Sequence, residues 1–380
     1  MPLVSAFPAC CVQLSRACSC VWDCSTMSTR RTRGCLAWLC IWAFGKSYSC
    51  PGTPGLPPRL VTSPKEAKAI LSDPQQLRHT QNLCLRENFE LENVFTTNDT
   101  ELRREFLEVV NRGMAKPICG SATTAARTYP RGQQPLSRVT EKVVFEAVTR
   151  AFIGAQDFDG IDVSFFDCFN DLWRNRRDES GAVRNKTSEM HHRVQAFYTA
   201  NKDAIDSYGV WGKNLPTRML RDAWASNPLS IIIPIYLNTW VAVQRILVRL
   251  LRVQNERQRV LAEIKKVDTD ASLADLRVLD EIVHYELRSN PPVKSLERQH
   301  AQTGEHVKVS IEAMLNNGKQ ESWEFGGGIG ACPAQKYACR MMKAVVAKVL
   351  PHLSISKEEF RRTQPNLPAV DVEDVLVQVG

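Results

Sequence analysis

From residue 59 onward, apolar side chains recur mostly at three- and four-residue spacing, the period of a helix with one buried face. Ser63-Pro64-Lys65-Glu66 predicts a helix start, with a capping serine, proline at the first helical position and an acid in the first turn, running to Leu71. Thr97 to Arg112 predicts a second helix with Leu102, Phe106, Val109 and Val110 on one face. Further helices are expected over Val139–Phe152, Asp162–Arg174 and Thr187–Ala204, and Ala115–Gln134 reads as a loop. Arg59–Thr62 reads as a short strand. The most apolar run is Leu229 to Leu251, long enough to cross a bilayer. Pro234, Asn238, Gln244, Arg245 and Arg249 interrupt it, so a buried helix of a globular domain is the expectation, with an exposed continuation from Arg252 to Lys266. Asp275–Arg288 is a last predicted helix before Asn290-Pro291-Pro292. No internal repeat and no strand–helix alternation is visible. The fold class expected is mainly α with a small β part.

Composition narrows the picture. With 43% hydrophobic and 24% charged residues, wholesale disorder, a collagen and a coiled-coil rod are excluded. The net charge of +8 is mild for 380 residues, and no basic stripe suggests nucleic acid. Of 13 cysteines, Cys10, Cys11, Cys18, Cys20, Cys24, Cys35, Cys40 and Cys50 crowd the first fifty residues. Cys11, Cys18, Cys20 and Cys24 have zinc-like spacing, but no histidine half-site follows. Arg30, Arg31 and Arg33 precede an apolar run, Cys35–Gly45, about half the ~20 residues of a membrane span. Residues 1–58, closed by a Pro/Gly linker at 51–58, therefore read as a poorly ordered segment or weak anchor. Residues 59–380 read as one large domain.

The strongest chemical signal lies between Trp323 and Arg340, where a glycine-rich turn leads to Cys332, Pro333 and an apolar-periodic helix containing Tyr337, Met341, Met342 and Val345. A cysteine just ahead of a helix sits where backbone N–H groups and the helix dipole favour a thiolate. Glycines before it let backbone lie against a planar group. Together they suit axial ligation of haem iron. Gly326, Gly328 and Ala331 also match a dinucleotide fingerprint, which needs a preceding strand. A plain buried cysteine is the other reading.

The run from Phe325 through Gly328 and Cys332 to Ala334 resembles the cysteine loop of the cytochromes P-450. Gly330 stands where that family usually has a basic residue, and Ala334 replaces its last glycine. The segment after Cys332 is most similar to fungal members. Leu237-Asn238-Thr239 falls where the family's central helix carries its acid and threonine. Arg288 matches the arginine of its Glu-x-x-Arg helix, with Tyr285 in the glutamate position and Glu286 one residue out of register. The resemblance covers residues 59–380 and is incomplete. The interval from Arg288 to Cys332 is short, with one strand kept in Gly304–Asn317, and the Cys-rich stretch replaces the N-terminal sheet.

The resemblance implies an incomplete cytochrome P-450-like haem-thiolate fold. Cys332 would bind the iron of haem b, Phe325, Gly328 and Arg288 would support the cofactor, and Asn238 and Thr239 would lie near bound oxygen. It implies monooxygenation of an apolar small molecule, in fungal secondary metabolism, with electrons from NADPH through cytochrome P-450 reductase. The location implied is the cytosolic face of the endoplasmic reticulum, by weak membrane contact, or the cytoplasm. The alternatives are an isomerase acting on a peroxide and a degenerate haem-fold protein without catalysis.

Overall fold

The computed structural model describes residues 58–78, 86, 89–174, 181–265, 267–317, 323–362 and 375–380. The chain divides between Pro57 and Pro58. The zinc-like spacing, the short apolar run and most of the linker fall outside the described residues.

The larger unit is built on four helices. They are Cys119–Thr128 (α3), Leu136–Ile153 (α4), Leu229–Arg252 (α9) and Gln335–Val349 (α13), which pack against one another. Around them stand Pro64–Ser72 (α1), Thr100–Met114 (α2), Val163–Arg174 (α5), Gly181–Ala200 (α6), Lys202–Tyr208 (α7), Thr217–Arg221 (α8), Gln254–Ile264 (α10), Arg277–Ser289 (α11), Ile311–Asn317 (α12) and Lys357–Arg362 (α14). The predicted mainly α class holds, and most helix boundaries shift by only a few residues.

Local chemistry explains the boundaries. Asp99 caps α2, its carboxylate accepting from the backbone N–H of Glu101 (3.0 Å) and Leu102 (3.1 Å). On α2, Leu102, Phe106, Val109 and Val110 are buried as expected. The helix α9 is almost entirely buried, and its long apolar run is the centre of the core. It is long and apolar enough to cross a membrane, with mean hydropathy 1.6, yet 78% of that stretch is buried within the fold. The chain bends at Val253, so α10 is a separate helix rather than a continuation. Phe145 of α4 gathers Phe165, Phe166, Phe197 and Tyr236 at centroid distances of 5.3–6.2 Å, tying α5, α6 and α9 together.

The expected loop over Ala115–Gln134 is in fact α3 followed by a short strand, Gly132–Pro135 (β3). The helix has no side-chain cap of its own. Asp270 supplies one from far along the chain, accepting from the N–H of Ile118 (2.9 Å) and Cys119 (2.7 Å), while Arg340 of α13 donates to the same carboxylate at 2.7 Å.

Two small sheets complete the fold. Strands Arg59–Val61 (β1), Gln76–Arg78 (β2), Ser295–His300 (β4) and His306–Ser310 (β5) lie in the order β1-β5-β4-β2, with β1 parallel to β5 and the other pairs antiparallel. The interval before Cys332 thus holds a hairpin rather than one strand. Strands near the start of the domain join it, so the first sheet is present rather than replaced. The second sheet orders β3, Leu376–Val379 (β7) and Leu353–Ser354 (β6) as β3-β7-β6.

Candidate functional site

The cysteine loop spans two hydrophobic cores. Trp323 is buried with Val61, Ala67, Leu71, Val307, Val309 and Met314 in a small core under the first sheet. Phe325 and Cys332 pack against the main helical core. Between these anchors the backbone turns on glycine. Trp323–Phe325 is a single 3₁₀ turn, not the strand a dinucleotide fingerprint requires. Gly326 follows at φ 77° and Gly328 at φ 63°, left-handed values that favour glycine. Gly327 has no room for a side chain, since a Cβ would lie 2.7 Å from the Trp323 ring. At Gly328 a Cβ would lie 2.2 Å from the carbonyl oxygen of Leu71, at the end of α1. The N–H of Cys332 donates to the Phe325 carbonyl at 2.9 Å and closes the loop.

Cys332 is partly buried, three residues before α13 begins. Burial pushes its thiol up, and the N–H of Ala334 pulls the other way. At this sulfur, burial therefore outweighs the stabilisation expected at a helix start. A coordinated metal ion reverses that balance, because a ligating thiol is deprotonated. Cys339 differs: it is buried in the core within α13, its thiol pushed up to about 12 chiefly by desolvation. The two cysteines are thus a loop residue and a core residue.

Arg288 ends α11 with its side chain 60% exposed. It does not meet Tyr285, which is itself exposed and lies under the guanidinium of Arg249, 4.1 Å from its ring centroid. Arg288 Nε instead lies 3.7 Å from Oε1 of Glu324, whose side chain is fully buried. Glu286 turns inward to Arg249 Nη1 at 3.3 Å, and Arg249 also makes a two-point pair with Glu256 at 2.6 Å. The register shift of Glu286 therefore serves α9, not the cysteine loop.

Asn238 is exposed in the middle of the otherwise buried α9, while Thr239 is buried. Asn238 shares a stripe at helical spacing with Pro234, Val241, Arg245 and Arg249, the less buried face of the helix. Farther along that stripe, Arg245 donates to the Asn290 carbonyl at 2.5 Å, just past α11. No hydrogen bond among the described residues joins Asn238 or Thr239 to the cysteine loop.

Two cations that sequence reasoning missed flank the loop. Arg298 on β4 is buried, its guanidinium donates to the Glu297 carbonyl at 2.7 Å, and no acid pairs with it among the described residues. Desolvation lowers its pKa accordingly. Strand alternation puts Arg298 on the same face as Leu296, whose methyl lies 3.4 Å from the Cβ position of Gly326. Arg103 of α2 donates from Nη2 to the Ile329 carbonyl at 2.9 Å, while its Nε is buried without a hydrogen-bond partner. A buried guanidinium without an acid is costly unless an anion completes it. A soft sulfur donor in a glycine loop, with Arg103 on the loop and Arg298 on the strand face that meets it, neither paired to an acid among the described residues, fits a haem, whose iron takes thiolate and whose edge carries two carboxylates. Neither the strand that carries Arg298 nor its burial was legible in the sequence.

A cavity of about 1340 Å³ lies elsewhere, lined by residues of α6 and α7 and of the 212–228 stretch, including His192, Tyr198, Lys202 and Lys213. His191 hydrogen-bonds to the Phe89 carbonyl at 2.8 Å, and His284 to the Asp280 carbonyl at 2.9 Å. No cluster of three metal-ligating side chains exists among the described residues.

No family model matches the chain, and no curated protein matches it. Solved structures do. The heme domain of cytochrome P450DA superimposes with a TM-score of 0.57 at 12% identity, over 82% of each chain. The cytochrome P-450 CYP102L1 superimposes with a TM-score of 0.60 at 15% identity, over 84% of this chain and 92% of that one. At such identities the likeness speaks for the arrangement of the backbone. Four core helices, a hairpin-containing sheet and a cysteine loop opening the last long helix agree with it: the chain has the cytochrome P-450 fold.

Proposed function

We propose that the chain is a haem-thiolate monooxygenase acting on an apolar small molecule. The observation that carries this reading is Cys332, held in a glycine loop ahead of α13 and flanked by Arg298 and Arg103, which lack acid partners among the described residues. Haem, when bound, supplies reductive activation of O2 and transfer of one oxygen atom. Cys332 would donate the thiolate. Gly328 would let the loop lie flat, and Phe325 would hold it on the core. Arg298 and Arg103 would take the haem carboxylates, a role for which Arg288, turned to Glu324, is less suited. Electrons would come from NADPH through a reductase. Asn238 and Thr239 are assigned to the substrate side, where hydroxyl and amide groups orient water. The absence of a carboxylate at Leu237 supports a second reading, rearrangement of a peroxide without external electrons, because an amide does not titrate near neutral pH.

The test is the absorption spectrum of the reduced protein with carbon monoxide. Wild type and Cys339→Ser are expected to show the red-shifted Soret band of a thiolate ligand, and Cys332→Ser to lose it. Equal loss in both variants, or no haem in the wild type, would overturn the reading.

A further inference from the structure

We propose that Glu324 positions the cysteine loop by pairing with Arg288 at the end of α11. Glu324 lies in the turn that carries Phe325, the residue whose carbonyl accepts from Cys332. Its side chain is fully buried. A carboxylate taken from water into such a place demands compensation. Arg288 contributes to it from the end of α11, its Nε 3.7 Å away on a side chain that is 60% exposed. The turn also packs directly on α11. Besides the two cores, three further contacts hold the loop, and they act elsewhere. Leu71 presses on Gly328, Leu296 faces Gly326, and Arg103 holds Ile329. None of them ties the Trp323–Phe325 turn to α11.

Tyr285 cannot do this work, since it is half exposed and engaged with Arg249. Glu286 cannot, since it faces Arg249 across to α9. The acid that locks the last residues of α11 to the site is therefore carried by the loop itself. Glu324 acts on Cys332 through backbone placement and is a positioning residue, not a catalytic one. The inference deepens the proposed function and rests on that reading for why the loop matters.

Its test is read on the apoprotein, so that failure to bind haem overturns the function without touching it. The folded apoprotein is pulsed with iodoacetamide, and modification of Cys332 and Cys339 is quantified separately by peptide mass spectrometry. Cys339, buried in α13, reports general unfolding. Glu324→Gln and Arg288→Gln are each expected to raise Cys332 labelling at least tenfold with Cys339 unchanged. The double variant should exceed neither, and Arg288→Lys should stay within threefold of wild type. Parallel rises at both cysteines, unchanged Cys332 labelling, or singles whose effects multiply in the double variant would overturn the assignment. Should Glu324→Gln fail to fold, Arg288→Gln, altered at a largely exposed side chain, decides alone.

Discussion

Arg298 exposes a conflict between holding a cofactor and holding a fold. Its guanidinium is buried on β4 and no acid pairs with it among the described residues, which costs stability. Arg298→Met is therefore expected to raise the stability of the apoprotein, on the order of 1 kcal/mol, and to lower haem occupancy severalfold. Chemical denaturation of the apoprotein and haem titration read the two effects; a loss of apoprotein stability would mean the charge is compensated. At Tyr285 the structure reverses an expectation drawn from the family's Glu-x-x-Arg helix. Because the ring is exposed over Arg249, Tyr285→Glu should leave haem occupancy unchanged, and an increase would show that α11 packs differently in solution. Asn238 stands in the open stripe of α9 and carries no titratable proton. If proton delivery limits turnover, Asn238→Thr should raise the yield of product per NADPH and reduce released peroxide. Tight coupling in the wild type would remove Asn238 from the site.

Helices and loops here are held by partners distant in sequence. Gly328 illustrates the loop: it needs a left-handed φ and leaves no space between itself and Leu71 at the end of α1. Gly328→Ala is expected to cost about 1–3 kcal/mol from conformation alone, plus the displacement of α1, measurable as a shift in denaturation midpoint. An unchanged midpoint would mean that α1 does not press on the loop. The α9–α10 junction shows a different dependence. Arg249 holds Glu256 by two hydrogen bonds, which keep the Glu256 carboxyl below its ordinary range. A depressed pKa contributes stability above the ordinary glutamate value of about 4.3, and that stability is lost as pH falls through the lower folded value. Glu256→Gln should thus flatten the loss of stability in acid while costing stability at neutral pH. Equal stability of the variant and wild type at neutral pH, or curves that run parallel through the acid range, would show that the pair does not form.

On the scale of the molecule, a four-helix core and two small sheets place one glycine loop where α1, α2, α11 and β4 all reach it. No single contact secures Cys332, so its position depends on the whole domain.

Much of this was legible in order along the chain. The apolar period of α2, α4, α9, α11 and α13 follows from local burial of one face, and a residue string reports that directly. Gly328 and Cys332 were readable as a glycine turn and a cysteine just ahead of a helix, and Phe325 through the family resemblance. The helix α3 was not readable, because its start is capped by Asp270 and its glycine, serine and threonines favour other conformations. The hairpin before Cys332 was half seen, since charged and histidine side chains mask the alternation of β4. The partner of Arg288, the burial of Arg298 and the exposure of Asn238 lay beyond reach for one reason. Each depends on which distant element covers a side chain, and that is decided only when helices and sheet close around one another.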